Sequence, residues 1–147
     1  MTQDNDGTAR EFYDAWNARD FDRVAGLVAQ DGEIVLVGSE ARFSGPEGAR
    51  QWSLSWAGGF PDGEVMIDRV LSAGDQVVVQ FTGRGTHTGD FVTPGGTLPP
   101  TGRRATLKFC DVLDVSGGKI TSMHSYFDTA SLLTQLGLMS APAAAHK

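Results

Sequence analysis

A single carboxylate interrupts an apolar strand pattern in the second half of the chain. Between Arg104 and Val115 the side chains alternate, and Asp111 is the only polar residue on one of the two faces. Its companions on that face are Ala105, Leu107, Phe109, Leu113 and Val115. Because strand residues alternate between two faces, this apolar face is expected to point inward and to bury Asp111. A buried carboxylate is costly unless it is hydrogen-bonded, paired or protonated, and burial raises its pKa. Asp111 is therefore a candidate catalytic acid or base; the alternative is a structural carboxylate that caps a backbone group or pairs with a helix arginine.

A histidine ends the apolar face of the preceding strand. That face consists of Val77, Val79, Phe81, Gly83, Gly85 and His87. His87 is expected at the rim of the face, where an imidazole can exchange protons near neutral pH, and it is the second candidate catalytic residue. The alternative is a strand-end histidine that bonds the backbone of the following loop.

The return strand, residues 119–127, has two mixed faces, so alternation alone does not orient it. A bulge at Gly118 would place Met123 and Ser125 beside Asp111, whereas a plain two-residue turn would place His124 there. Asp128 follows this strand and precedes Thr129 and Ser131, a pattern that predicts a helix N-cap.

Aromatic residues at helical spacing are expected to cover the inward face of the sheet and to line a pocket as well as a core. With two residues of the return strand, they complete the candidate substrate-binding set. That set is Phe12, Tyr13, Trp16, Trp52, Trp56, Phe81, Phe109, Met123, Ser125 and Phe127.

Net charge, apolar segments and the positions of Cys and His argue against several classes of partner. A net charge of −6 with one adjacent basic pair, Arg103 and Arg104, argues against a nucleic-acid partner. The N-terminus lacks the apolar segment of a signal peptide, and no window is apolar enough to cross a membrane, so a cytoplasmic protein is expected. Cys110 has no companion, and the histidines at 87, 124 and 146 lack metal-ligand spacing, so neither a metal nor an organic cofactor is expected.

The periodicities place these residues on an α+β fold. Helices are predicted over residues 8–18 and 21–28 and from Gly45, with a short strand over 33–37 between them. Long strands follow over 65–71, 76–86, 104–115 and 119–127, with a Gly-, Pro- and Thr-rich loop over 89–102, and the last helix covers 129–136. The expected architecture is a strongly curved antiparallel sheet wrapped around the N-terminal helices, with a ligand pocket inside. Residues 1–138 would form one domain, and residues 139–147 a disordered tail.

Several motifs together resemble the SnoaL-like polyketide cyclase and ester cyclase family. They are Phe-Tyr-Asp-Ala-Trp-Asn-Ala-Arg-Asp from Phe12, Gly-Thr-His-Thr-Gly from Gly85, Leu-Pro-Pro-Thr-Gly from Leu98, Gly-Lys-Ile from Gly118 and Leu-Leu-Thr-Gln-Leu-Gly from Leu132. The resemblance extends from about residue 8 to residue 138. It implies a nuclear-transport-factor-like α+β cone, usually a homodimer through the open face of the sheet, and cofactor-independent chemistry on a hydrophobic small molecule. The same superfamily includes ketosteroid isomerases and small epoxide hydrolases.

The resemblance also carries site residues across. In aldol cyclases of this family a catalytic Asp lies three residues before the position of Asp128, where this chain has Ser125, and their partner His matches Asp111. Ketosteroid isomerases hold a protonated Asp at a stretch similar to Asp111-Val112-Leu113, while their base matches near Val35 and their Tyr near Phe12. The expected function is a cyclase, isomerase or lyase of secondary metabolism that uses acid–base catalysis on a polyketide-like metabolite. Epoxide opening and non-catalytic binding of a small ligand are the alternatives.

Overall fold

The computed structural model describes residues 4–140, and the Ala-rich end of the predicted tail lies outside them. The described helices are α1 (Asn5–Asn17), α2 (Phe21–Gly26), α3 (Gly45–Gly59) and α4 (Thr129–Gln135). The strands of the first half are β1 (Val28–Leu36), β2 (Ala41–Ser44), β3 (Glu64–Ala73) and β4 (Gln76–Thr86). The strands of the second half are β5 (Phe91–Thr93), β6 (Gly96–Leu98), β7 (Arg104–Ser116) and β8 (Lys119–Phe127).

Side-chain caps fix where three helices begin. The carboxylates of Asp4, Asp20 and Asp128 each accept a hydrogen bond from a backbone N–H of the first helical turn, which that turn cannot pair internally. The predicted cap at Asp128 is thereby confirmed. Pro46 lies in the first turn of α3, where its missing N–H costs nothing.

Six strands form one sheet in the order β2-β1-β8-β7-β4-β3, and β5 and β6 form a separate small hairpin. Every pair in the large sheet is antiparallel except β1 with β8, which run parallel. Helices α1 and α3 pack against the strands of this sheet, so their apolar sides and the inward faces of the strands share one core. The predicted α+β architecture is confirmed, with a curved sheet and helices on its inner side.

The turn between β7 and β8 decides which residues of β8 face inward. Gly117 and Gly118 both have positive φ, which a two-residue hairpin turn of this kind requires. The bulge that brings Ser125 opposite Asp111 lies at Thr121, not at Gly118, because Asp114 pairs with Ser122 while Val115 pairs with Ile120.

Short and irregular strands account for the differences from the sequence prediction. Strand β1 begins at Val28, which was expected to end the second helix, and β2 was not predicted. The hairpin β5–β6 occupies part of the segment expected to be a loop. Three-residue and four-residue strands carry too few positions for a period of two to be recognised.

Candidate active site

The carboxyl group of Asp111 lies fully buried in the inward face of β7, as the alternation predicts. Its Oδ2 accepts a hydrogen bond of 2.7 Å from the hydroxyl of Tyr13, which α1 presents to the sheet. Its Oδ1 has no hydrogen-bond partner among the described residues. No arginine or lysine of the described chain forms an ion pair with it, so the alternative of a carboxylate paired with a helix arginine does not hold.

Burial is the main influence on the acidity of this carboxyl. Loss of water contact raises the pKa of Asp111 from 3.8 to about 6, and the hydroxyls of Ser125 and Tyr13 offset part of the rise. Ser125 lies directly across the strand pair from Asp111, although its hydroxyl does not complete a hydrogen bond to Oδ1. Burial and the neighbouring Asp111 carboxylate raise the pKa of Tyr13 well above its usual value. A carboxyl that titrates near neutrality can both give and accept a proton.

An apolar cavity that is partly open to solvent adjoins this pair. Tyr13 and Ser125, the two neighbours of the Asp111 carboxyl, both line it, so the carboxyl lies one side chain behind the cavity wall. Seven of the seventeen residues that line the cavity are aromatic. The aromatic lining residues are Tyr13, Trp16, Trp52, Trp56, Phe60, Phe81 and Phe109.

Two charged residues at the border of the cavity direct their side chains elsewhere. Glu64 and Arg84 pair across β3 and β4 and form an ion pair of 3.1 Å between half-exposed side chains. Their neighbours Val65, Gly83 and Gly85 line the cavity from the opposite face of the same strands. Within residues 4–140, no second carboxylate, arginine or lysine forms a hydrogen bond or ion pair with Asp111.

The structure brings seven members of the predicted binding set to the cavity wall. They are Tyr13, Trp16, Trp52, Trp56, Phe81, Phe109 and Ser125.

Three other members, Phe12, Met123 and Phe127, do not line the cavity. Phe12 is fully buried and stacks on Trp52 at 5.5 Å between ring centroids, so it supports the wall from behind. Met123 is also fully buried, and its sulfur lies 4.0 Å from the Tyr13 hydroxyl. Phe127 packs edge-on against Trp56 at 5.5 Å, at the end of β8.

His87 lies away from the cavity, contrary to its expected place at the rim. The ring is fully buried and stacks on Phe60 at 5.3 Å. The backbone N–H of Thr101 donates to Nδ1 at 3.3 Å, and Nε2 lies 3.3 Å from the carbonyl oxygen of Leu98. Both ring nitrogens are thus occupied by the segment that follows β4, which is the structural alternative that the sequence left open.

Sequence reasoning missed several wall residues, including Leu132 of α4 and Leu107 of β7. One signal was available for two others, Gly83 and Gly85. Both hold inward positions at the end of β4, where the missing side chain lets other wall residues approach closely: a Cβ at Gly83 would lie 2.9 Å from the Phe109 ring, and a Cβ at Gly85 would lie 3.1 Å from the Cα of Gly63. The other residues belong to segments whose distance from the cavity depends on how the sheet curves.

Two further observations concern metals and membranes. Within residues 4–140, no three side chains of His, Cys, Asp or Glu are grouped closely enough to hold a metal ion. No helix of that stretch has both the length and the apolar character needed to cross a bilayer.

Three solved structures with the same fold are similar to this one over nearly the whole chain. A proposed SnoaL-like polyketide cyclase from Jannaschia sp. has a TM-score of 0.79 at 25% identity, covering 95% of this chain and 93% of that chain. IdmH, a proposed polyketide cyclase from Streptomyces antibioticus, has a TM-score of 0.72 at 26% identity, covering 92% and 99%. A protein with a ketosteroid isomerase-like fold from Catenulispora acidiphila, solved in complex with trimethylamine, has a TM-score of 0.75 at 23% identity, covering 94% and 95%.

No curated protein sequence matches the chain. The family model for the SnoaL-like polyketide cyclases, by contrast, matches residues 7–136, which include every described strand and helix except the first two residues of α1. The chain belongs to the SnoaL-like polyketide cyclase family.

Proposed function

We propose that the protein is a cofactor-independent enzyme of cyclase or isomerase type that moves a proton on a hydrophobic small metabolite. The observation that carries the proposal is the buried hydrogen bond of 2.7 Å between the Tyr13 hydroxyl and Asp111. This pair joins a group that lines the cavity to a carboxyl that titrates near neutral pH. Membership of a cyclase family supports the reaction type.

The pair can act as one base or one acid. As a base, the phenolic oxygen of Tyr13 takes a proton from the ligand while its own proton passes to Oδ2 of Asp111. As an acid, both protons move the other way, so the pair ends as it began after a complete isomerisation or ring closure. Concerted transfer is favoured because burial makes a free tyrosinate costly, as the raised pKa of Tyr13 indicates.

The cavity supplies the rest of the rate acceleration. Acid–base catalysis by one positioned group contributes about 10²–10⁴-fold, and further acceleration must come from holding a flexible molecule in a reactive conformation. The aromatic wall and the hydroxyl of Ser125 are suited to this, because the rings pack against an apolar frame and the hydroxyl can bond an oxygen of the ligand. A polyketide-like molecule of secondary metabolism combines these two features, and we propose it as the substrate class.

Proton exchange provides a test that does not need the natural substrate. We expect the wild-type protein to catalyse deuterium incorporation into 2-tetralone in D₂O, followed by mass spectrometry. Asp111→Asn, which keeps the shape of the side chain and an acceptor for Tyr13, should lower the rate by about 10²-fold or more.

A matched control and a binding measurement complete this test. Asp114→Asn makes the same charge change on the opposite face of β7, where Asp114 accepts from Gln76, and should leave the exchange rate unchanged within a factor of two or so. Equal rates for wild type and Asp111→Asn would remove Asp111 from the mechanism. If the wild type quenches its tryptophan fluorescence on binding 2-tetralone yet exchanges no deuterium, the protein is a binding module.

We also propose that the protein assembles as a homodimer through the outward face of the large sheet. The central strands β7 and β8 present Val112, His124 and Tyr126 on this face, and no described helix covers it. Tyr126 is 46% exposed there, which is unusual for a large ring at the centre of a sheet.

A further inference from the structure

The Asp111 carboxyl lacks the counter-charge that a buried carboxylate normally has. Its environment offers one full hydrogen bond, from Tyr13, and leaves Oδ1 unpaired. No lysine or arginine among residues 4–140 lies in an ion pair with it. An ionised carboxylate in such a place is costly, and a positive charge arriving in the neighbouring cavity would recover much of that cost.

The wall of the cavity has the composition of a site that binds cations. All three tryptophans of the chain line it, together with Tyr13, Phe81 and Phe109. The face of an aromatic ring carries partial negative charge, and several such faces around one cavity are the usual receptor for an ammonium group.

One aromatic ring of the same wall already has a cation over its face. The guanidinium carbon of Arg19 stands 4.5 Å from the centroid of the Trp16 ring. The positive charge of Arg19 is tied to the carbonyl oxygens of Pro61 and Gly63, so it stays on that side of the indole. The guanidinium of Arg84 is paired with Glu64 on the other face of the sheet. Neither cation neutralises Asp111.

We propose that the ligand of this cavity carries a positive charge, as a tertiary or quaternary ammonium group on an apolar frame. The inference rests on the proposed function, because it uses the same cavity and adds an ammonium group to the apolar, oxygen-bearing frame proposed there for the substrate. The aromatic rings would surround the ammonium group, and the Asp111 carboxylate would face it from behind Tyr13 and Ser125.

A pair of probes that differ only in charge tests the inference. Phenyltrimethylammonium and tert-butylbenzene have the same shape, with a nitrogen cation replacing a carbon, and both can be titrated by the fluorescence of the three tryptophans. We expect the wild-type protein to bind the cation at least as tightly as tert-butylbenzene, although the cation loses far more hydration. Asp111→Asn should weaken binding of the cation by about tenfold or more and change binding of tert-butylbenzene less than about threefold.

The outcomes separate this inference from the proposed function. Asp114→Asn is the control for net charge and should change neither dissociation constant by more than about threefold. If tert-butylbenzene binds and the cation does not, the inference is overturned while the apolar cavity and its acid–base pair stand. If neither probe binds, the cavity is not a binding site, and both the proposed acid–base function and the cationic ligand are contradicted. Should Asp111→Asn fail to fold, the two wild-type dissociation constants still test the inference, because the cation is expected to bind at least as tightly as tert-butylbenzene.

Discussion

At the scale of single residues, the behaviour of Asp111 follows from a balance between burial and hydrogen bonding. Removing a carboxylate from water raises its pKa by up to several units, while each donated hydrogen bond lowers it. Asp111 receives one such bond and is fully buried, so burial prevails and the pKa rises to about 6. The same residue would be an ordinary anion if a guanidinium stood beside it.

This imbalance should appear in the stability of the protein. Because the folded-state pKa of Asp111 is raised above 3.8, its contribution to stability is complete below about pH 4 and is lost as the pH rises through about 6. Asn cannot ionise at position 111. The free energy of unfolding of Asp111→Asn, measured relative to that of wild type, should therefore rise by at most about 3 kcal/mol between pH 4 and pH 8. Urea unfolding at several pH values measures this difference. A constant difference across that range would show that the carboxyl has the same pKa in the folded and unfolded chains.

The sequence predicts that Asp111 is buried, but not which residue bonds to its carboxyl. Alternation along residues 104–115 is enough to bury Asp111, because a strand has only two faces. It cannot identify Tyr13 as the partner, since the two residues are 98 positions apart and meet only after α1 has packed on the sheet. For His87, alternation gave the correct face but not the surroundings, which are set by Thr101 and Leu98 of a loop without periodicity.

At the scale of secondary-structure elements, one extra residue in β8 decides the composition of the site. The bulge at Thr121 shifts the pairing so that Met123 and Ser125 face inward and His124 faces outward. Without the bulge, the two-residue turn at Gly117–Gly118 would pair Asp111 with His124, because each residue of β8 would move to the other face. Both faces of β8 are mixed in polarity, so the sequence leaves these two registers open.

Deletion of Thr121 should be tolerated, because Thr121 is the extra residue of the bulge. With Thr121 removed, Ser122 still follows Ile120 along the ladder and pairs with Asp114, so Met123 and Ser125 keep their inward positions. The deletion loses the side-chain bond from Thr121 to the Asp114 carbonyl, about 1 kcal/mol, and Thr121→Ala loses the same bond. The two variants can be compared by urea unfolding and backbone amide NMR spectra, and similar stabilities are expected. A deletion variant less stable than Thr121→Ala by several kcal/mol would show that the residues after the bulge had changed faces.

At the scale of the whole molecule, the cavity lies where two apolar clusters meet. One cluster joins the N-terminal helices to the centre of the sheet and includes Trp52 and Phe81. The other joins the end of α3 to α4 and includes Phe60 and Leu132. Trp56 and Phe109 pack against both. The sequence indicates the helices and the sheet, but the hollow between the clusters depends on sheet curvature, which periodicity does not encode.

The proposed assembly makes a simple prediction about mass. The wild-type protein should have a solution mass near twice the 15.6 kDa of one chain, measured by light scattering during size-exclusion chromatography. Val112→Asp places a charge at the centre of the outward sheet face and should give a monomer. Leu54→Asp, on an exposed site of α3, is the control and should remain dimeric. A wild-type mass of one chain would contradict the proposed dimer.

Titration of the Asp111 carboxyl itself tests whether a buried acid–base pair lies behind the cavity wall. In protein labelled with carbon-13 at aspartate carboxyl groups, the signal that disappears in Asp111→Asn should titrate with a pKa of about 6. Tyr13→Phe removes a hydrogen bond that lowers this pKa and should raise it further, whereas Tyr126→Phe, on the outward face, should leave it unchanged. A pKa near 4 for that signal would mean that water or a cation reaches the carboxyl, and would contradict a buried acid–base pair behind the cavity wall.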